Sequence, residues 1–123
     1  MVGAAALRGA EVFVAQRPAG SSHGGLWEFP GGKVEVGESD ADALVRELRE
    51  ELTVDATVGE LLAVGRDDRV ELFVYAVSFA GAPSPTEGQL CAWVSAEALE
   101  ALPVPPADVP AVRAVIERLS RVY

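Results

Sequence analysis

A chain of 123 residues and 12.9 kDa is the size of one folding unit, so a single domain over residues 1–123 is expected. Half its residues are apolar and 24% are charged, a globular and not a disordered composition, with enough chain to bury roughly two-thirds of its unfolded surface. Ten basic against nineteen acidic residues leave a net charge of −9, which argues against nucleic acid as a partner, because a phosphate backbone needs basic patches; a small nucleotide held through cations stays open.

Val2–Leu7 and Glu11–Arg17 read as two strands around a tight turn at Arg8-Gly9-Ala10, with Val12, Phe13 and Val14 supplying β propensity. Pro18 to Gly25 is a loop by its Pro, Gly and Ser content. Trp27 and Phe29 alternate around Glu28 as in a short strand, which Pro30-Gly31-Gly32 breaks. Ser39 to Leu52 has the strongest helical pattern: Ser39 and Asp42 form a start like a capping box, and Ala41, Leu44, Val45, Leu48 and Leu52 share one stripe. Ala56–Arg66 and Val70–Phe79 are two further strands, turned by Asp67-Asp68. Gly81–Gly88 is a loop, Leu90–Val94 a short strand and Ser95–Leu99 a helical turn. Pro103, Pro105 and Pro106 enforce an extended link. Asp108 then caps a final helix to about Arg121, with Val112, Val115, Ile116 and Leu119 as its apolar face. Two helices against strands fit an α/β (α+β) layered sandwich, whose parallel pairings the sequence leaves open.

Cys91 is the lone cysteine, so no internal disulfide and no cysteine-based zinc site is expected, and a reducing, cytoplasmic setting is. Val2–Leu7 is too short for a signal peptide, and no run approaches the about 18 apolar residues of a membrane span. Neither a membrane nor a nucleic-acid partner is expected; a monomer or a homodimer is.

Chemistry gathers on the Ser39–Leu52 helix. Glu47, Glu50 and Glu51, spaced i, i+3 and i+4, share one face, roughly 110° from the centre of the leucine stripe. Three like charges there repel by a few tenths of a kcal/mol per pair, with Arg46 and Arg49 as counter-charges. A solvated helix face is one reading of this cluster; a seat for a hard divalent cation, which takes oxygen ligands from carboxylates and phosphates, is the other.

The preceding segment decides between them. From Gly32 through Glu38, Arg46-Glu47-Leu48, Glu50-Glu51 and Thr53-Val54 the chain reads G-x5-E-x7-R-E-L-x-E-E-x-T-V. This resembles the Nudix box, G-x5-E-x7-R-E-U-x-E-E-x-G-U with U a bulky aliphatic, at every position but one: Thr53 stands where the family has Gly. A glycine there supplies a left-handed helix exit, so the departure bears on local backbone and removes no ligand. Gln16-Arg17-Pro18, Leu26 to Lys33, Glu87-Gly88-Gln89 and Pro105 to Asp108 also look like MutT-type Nudix segments, so the likeness runs from about Glu11 to Leu119. The subgroup most similar is the cytidine-triphosphate pyrophosphohydrolases and relatives that clear modified nucleotides.

The resemblance implies the Nudix α/β/α sandwich with a mixed sheet, and hydrolysis of nucleoside triphosphates to monophosphate and pyrophosphate by direct attack of water. It implies Mg²⁺ as cofactor, with Mn²⁺ able to substitute, held by Glu50 and Glu51, by Glu47, and by backbone carbonyls near Gly31 and Gly32. Arg46 would orient a carboxylate, Glu38 would support the loop, and Glu87 would add a ligand or act as general base. Arg17 and Lys33 are candidates for phosphate contact; Glu28 and Phe29, with Phe29 as a stacking ring, join the substrate-binding set. Cations between a triphosphate and a chain of charge −9 also agree with the electrostatics. Taken alone, each of these surface charges is also explained by solvation, Trp27 and Phe29 by a core, and Asp108 by its helix cap.

Asp108 bears on the base. MutT-type 8-oxo-guanine enzymes carry Asn at the matching position, which donates to O6 and accepts from N7–H. An ionised Asp only accepts, and cytosine offers it the N4 amino group. Such a mismatch is worth about 1–3 kcal/mol, which tilts the reading towards CTP, dCTP or 5-substituted cytosine nucleotides. An 8-oxo-dGTP diphosphatase, a nucleotide-binding module without catalysis, and a protein-interaction face on the acidic helix are the competing readings.

Overall fold

The computed structural model describes residues 1–21 and 23–121; Ser22, inside the expected Pro18–Gly25 loop, lies outside them. Seven strands form one sheet: β1 (Val2–Arg8), β2 (Glu11–Gln16), β3 (Trp27–Glu28), β4 (Gly31–Gly32), β5 (Asp55–Arg66), β6 (Glu71–Ala80) and β7 (Cys91–Ser95). The main path runs β3-β2-β1-β6-β5, with β4 on β1 and β7 on β2. All pairings are antiparallel except β1 with β6, which makes the sheet mixed.

Strand alternation sends neighbours to opposite faces and builds two cores. Val2, Ala4, Ala6 and Phe13 face helix α1 (Asp40–Leu52), whose Ala43, Leu44, Leu48 and Leu52 are buried. Ala5, Val12, Val14, Leu72 and Val74 face the other side. There they meet α2 (Ala96–Ala101) and α3 (Val109–Leu119), through Leu99, Ala111, Val115 and Leu119. This is the expected α/β/α sandwich.

Three expectations change. Gly31-Gly32 does not merely break a strand: it pairs with Val2 and Gly3 of β1. A Cβ on Gly31 would lie 2.9 Å from Gly3 Cα and closer still to the Val2 carbonyl oxygen, so only glycine permits this approach. On α1, Ala41 is exposed and Ala43 fully buried, so the buried face is rotated towards the carboxylates. Asp108 does not cap α3. It lies in a 3₁₀ turn, Pro106–Asp108, with helical backbone and no side-chain cap bond, because its carboxylate is engaged elsewhere.

The start of α1 is as read: Ser39 accepts from Asp42 N–H at 3.1 Å. Tyr75 of β6 donates to Asp40 Oδ2 at 2.5 Å and ties that end to the sheet. At the other end Thr53 adopts φ 59° and ψ 39°, the left-handed exit a glycine would supply, and its N–H bonds Arg49 O. The helix exit is therefore not re-routed; the threonine is strained in place. Thr53→Gly is expected to raise stability by about 0.5–1 kcal/mol, read as a higher urea midpoint at unchanged slope.

Candidate active site

Where β4, the C-terminal half of α1 and the β5–β6 turn meet the 3₁₀ turn, they enclose a cavity of about 560 Å³. Its wall includes the expected Arg17, Glu28, Phe29, Gly31, Gly32, Lys33, Glu47, Glu51 and Asp108. These come from four separate stretches of the chain, and the fold alone brings them together.

The helix carboxylates do not act as three equals. Glu47 and Glu51 face the cavity, whereas the Glu50 side chain is 60% exposed and pairs with Arg46 at 3.4 Å. Among the described residues, no three acidic, His or Cys side chains converge as a ready metal cage. Glu50 lies on the side of α1 farthest from the leucine stripe, which leaves it in solvent. Burial, and after it the Glu47 carboxyl alongside, push the Glu51 carboxyl up to about 8, with Glu28 and Glu87 adding to the rise. Gly32 leaves room for this crowding, since a Cβ there would stand 2.6 Å from Glu47 Oε2.

Arg46 is the clamp. Its guanidinium reaches Glu38 at 2.7 Å and 2.9 Å, Glu47 at 2.9 Å and the Lys33 carbonyl at 3.0 Å. Glu38 also accepts Glu35 N–H, and these two partners hold its carboxyl down at about 2. Glu38 thus organises the loop, as expected.

Glu87 is exposed and off the cavity wall, yet its charge is felt at Glu51. It is brought there by bonds the sequence did not reveal. Ser84 N–H donates to Leu52 O and Thr86 N–H to Glu51 O, while Thr86 Oγ1 donates to Glu50 O. The loop thereby satisfies carbonyls that a helix end leaves open.

Arg17 is bonded to Glu28 at 3.1 Å, so its charge is shared with a carboxylate. Burial still raises the Glu28 carboxyl, with Arg17 opposing. Lys33 is exposed at the carboxylate end. The Phe29 ring is buried in the α3-side core and forms part of the floor rather than a free stacking platform. Its N–H donates to Asp108 Oδ2 at 3.3 Å. Asp108 is 5% exposed, and burial pushes its carboxyl up to about 7, with Glu28 and Asp67 reinforcing the rise and the Phe29 N–H and Arg17 opposing it.

Asp67, Arg69, Val70 and Leu72 of the β5–β6 hairpin also line the cavity, and none was expected there. Asp67 Oδ1 accepts the N–H of Arg69 and of Val70, both at 2.8 Å, which folds the turn tightly. The sequence marks a turn at this place but carries no signal for what the turn covers.

The NUDIX domain model matches residues 1–119. The chain belongs to the Nudix family. The CTP pyrophosphohydrolase of Escherichia coli (strain K12) is 44% identical over 119 residues, 93% of this chain and 88% of that protein. The 8-oxo-dGTP diphosphatase of the same organism is 37% identical over 116 residues, 90% and 87%. The solution structure of the E. coli ORF135 protein superposes with a TM-score of 0.84 at 45% identity, over 98% of this chain and 90% of that one. The Nudix box is therefore this cavity's carboxylate end, and the protein is a Nudix hydrolase of the MutT type, a class that typically uses divalent metals. Among the described residues no helix is long and apolar enough to cross a membrane.

Proposed function

We propose that this Nudix hydrolase cleaves nucleoside triphosphates to monophosphate and pyrophosphate with Mg²⁺, Mn²⁺ substituting, and that cytosine nucleotides are its preferred substrates. The observation that carries the reading is one cavity holding two distinct acidic stations: Glu47 with Glu51, and Asp108. Glu28 lines the same cavity, and its charge is felt at both.

The carboxylate end fits a hard cation. Its donors are all oxygen, and crowding has already raised Glu51, as expected of acids that share a countercharge when one is present. Glu47 and Glu51, the carbonyls at Gly31 and Gly32, and Glu50 and Glu87 from outside the wall would hold it. Bound there, the ion would offset phosphate charge and make its water more acidic. Arg46 keeps Glu47 oriented, Glu51 or Glu87 accepts the proton of the attacking water, and Lys33 and Arg17 meet phosphate oxygens. Water adds to phosphorus as the bridging P–O bond breaks, and pyrophosphate leaves.

At the other station Asp108 spends Oδ2 on Phe29 N–H, which leaves Oδ1 for a ligand. As a carboxylate it accepts from the cytosine amino group. A second reading, 8-oxo-dGTP hydrolysis, draws on the same residue: a carboxyl raised to about 7 keeps a protonated fraction that can donate to O6. Incubation with Mg²⁺ and CTP, dCTP, 5-methyl-dCTP, 8-oxo-dGTP or ATP, with Glu50→Gln as control, separates the two. Preferential release of CMP or dCMP with pyrophosphate, lost in the control, is expected. Preference for 8-oxo-dGTP would overturn the base reading, and nucleotide binding without turnover would overturn the hydrolytic one.

A further inference from the structure

Gly65 lies next to the end of β5, opposite Leu72 of β6, and is buried. The 3₁₀ turn that carries Asp108 rests directly on it. A Cβ at position 65 would lie 2.8 Å from the Ala107 carbonyl carbon, closer still to its oxygen, and 3.1 Å from Pro110 Cδ. Nothing flexible is available to move aside, since the obstacle is backbone. Gly59, in the same strand, would meet nothing closer than Ala76 O at 3.2 Å. The absence of a side chain at residue 65 therefore sets how deeply Ala107 and Asp108 descend towards the cavity. Ala107 and Leu72 both line that cavity, and Asp108 reaches Phe29 N–H only from this depth.

We propose that Gly65 is a positioning residue for base selection: it seats the Pro106–Asp108 turn so that the Asp108 carboxylate meets the exocyclic group of the base. This rests on Asp108 as the base-reading residue. The dependence is steep for a geometric reason. An added methyl must part strand and turn by about 1 Å, and misplacement on that scale costs as much as 10²-fold in a positioned interaction. It also carries Asp108 Oδ2 beyond hydrogen-bond reach of Phe29 N, from a distance already at 3.3 Å. Pro105 and Pro106 stiffen the turn from its other side, and Pro106 is exposed, so it can be replaced without opening the core.

The test is the ratio of kcat/KM for CTP over UTP, whose base offers a carbonyl where cytosine offers an amino group, measured with Mg²⁺ on the full chain. Gly65→Ala and Pro106→Gly are each expected to lower that ratio about tenfold, through KM for CTP, with turnover of UTP kept. Gly59→Ala is expected to keep the ratio even where it lowers the thermal midpoint, which separates positioning from stability. If Gly65→Ala does not fold, Pro106→Gly decides alone. An unchanged ratio in the folded variants, with Asp108→Asn lowering it, overturns the role of Gly65 and leaves the base reading standing. An unchanged ratio in Asp108→Asn as well overturns both.

Discussion

Glu51→Gln is expected to lower kcat with CTP and Mg²⁺ by about 10³-fold while raising the thermal midpoint of the metal-free protein. The two effects share one cause. Glu51 is half-buried against Glu47, and the charges of Glu28 and Glu87 reach it as well. With its carboxyl raised to about 8, the folded chain holds a proton that the unfolded chain releases near 4.5. The folded state thus binds more protons, and stability falls as pH climbs from about 4.5 to about 8. A glutamine keeps the shape and removes the ionisation, so the midpoint should rise at pH 8 and change little at pH 4. Added Mg²⁺ should stabilise the parent protein more than the variant, because a cation that binds only the folded state adds stability that grows with the logarithm of its affinity. Melting curves at pH 4, 6 and 8, with and without Mg²⁺, check this. A lower midpoint for the metal-free variant at pH 8 would show that the carboxylates are not crowded and would remove the main physical support for a cation seat here.

How much of this was legible follows from what each residue depends on. α1 and its Ser39 cap depend on neighbours within four residues, and the sequence announced both. So did the β1–β2 hairpin, whose Leu7–Val12 and Arg8–Glu11 pairs fix the two-residue turn. The box residues were named by their spacing, but their inequality was not. Glu47 and Glu51 line the cavity and Glu50 does not because other segments close over only one side of α1, and a stripe read from the helix alone does not show which; that stripe also placed Ala41 inside, whereas Ala41 is exposed and Ala43 buried. Asp108 was read as a helix cap because Asp before Val-Pro usually is one. Its carboxylate instead crosses the structure to Phe29, seventy-nine residues away in sequence. Asp67, Arg69 and Gly65 were invisible for the same reason, since each matters only once β5 and β6 place their hairpin over the cavity.

The preference between cytosine and oxidised guanine is expected to turn over with pH near 7. Asp108 is buried on the cavity wall: Glu28 from β3, Asp67 from the β5–β6 turn, Arg17 beyond β2 and the Phe29 N–H all bear on it, and burial outweighs the two favourable partners. Its carboxyl therefore ionises around 7, well above the 3.8 of an ordinary aspartate. Above that pH the free oxygen only accepts, which suits the cytosine amino group and opposes O6 of 8-oxo-guanine. Below it the acid proton can be donated to O6, and cytosine loses its better partner. A hydrogen-bond mismatch of about 1–3 kcal/mol corresponds to roughly a five- to 150-fold change in relative rate. CTP and 8-oxo-dGTP competing in one reaction should therefore show a kcat/KM ratio that rises at least about tenfold from pH 6 to pH 8.5. Ionisations of the triphosphate, of the metal-bound water and of Glu51 act on both substrates alike and cancel in that ratio. Asp108→Asn, which keeps an acceptor for Phe29 N–H but cannot ionise, should flatten the profile and hold the ratio at its low-pH side. A ratio independent of pH in the parent protein would show that Asp108 does not read the base, whatever the site hydrolyses.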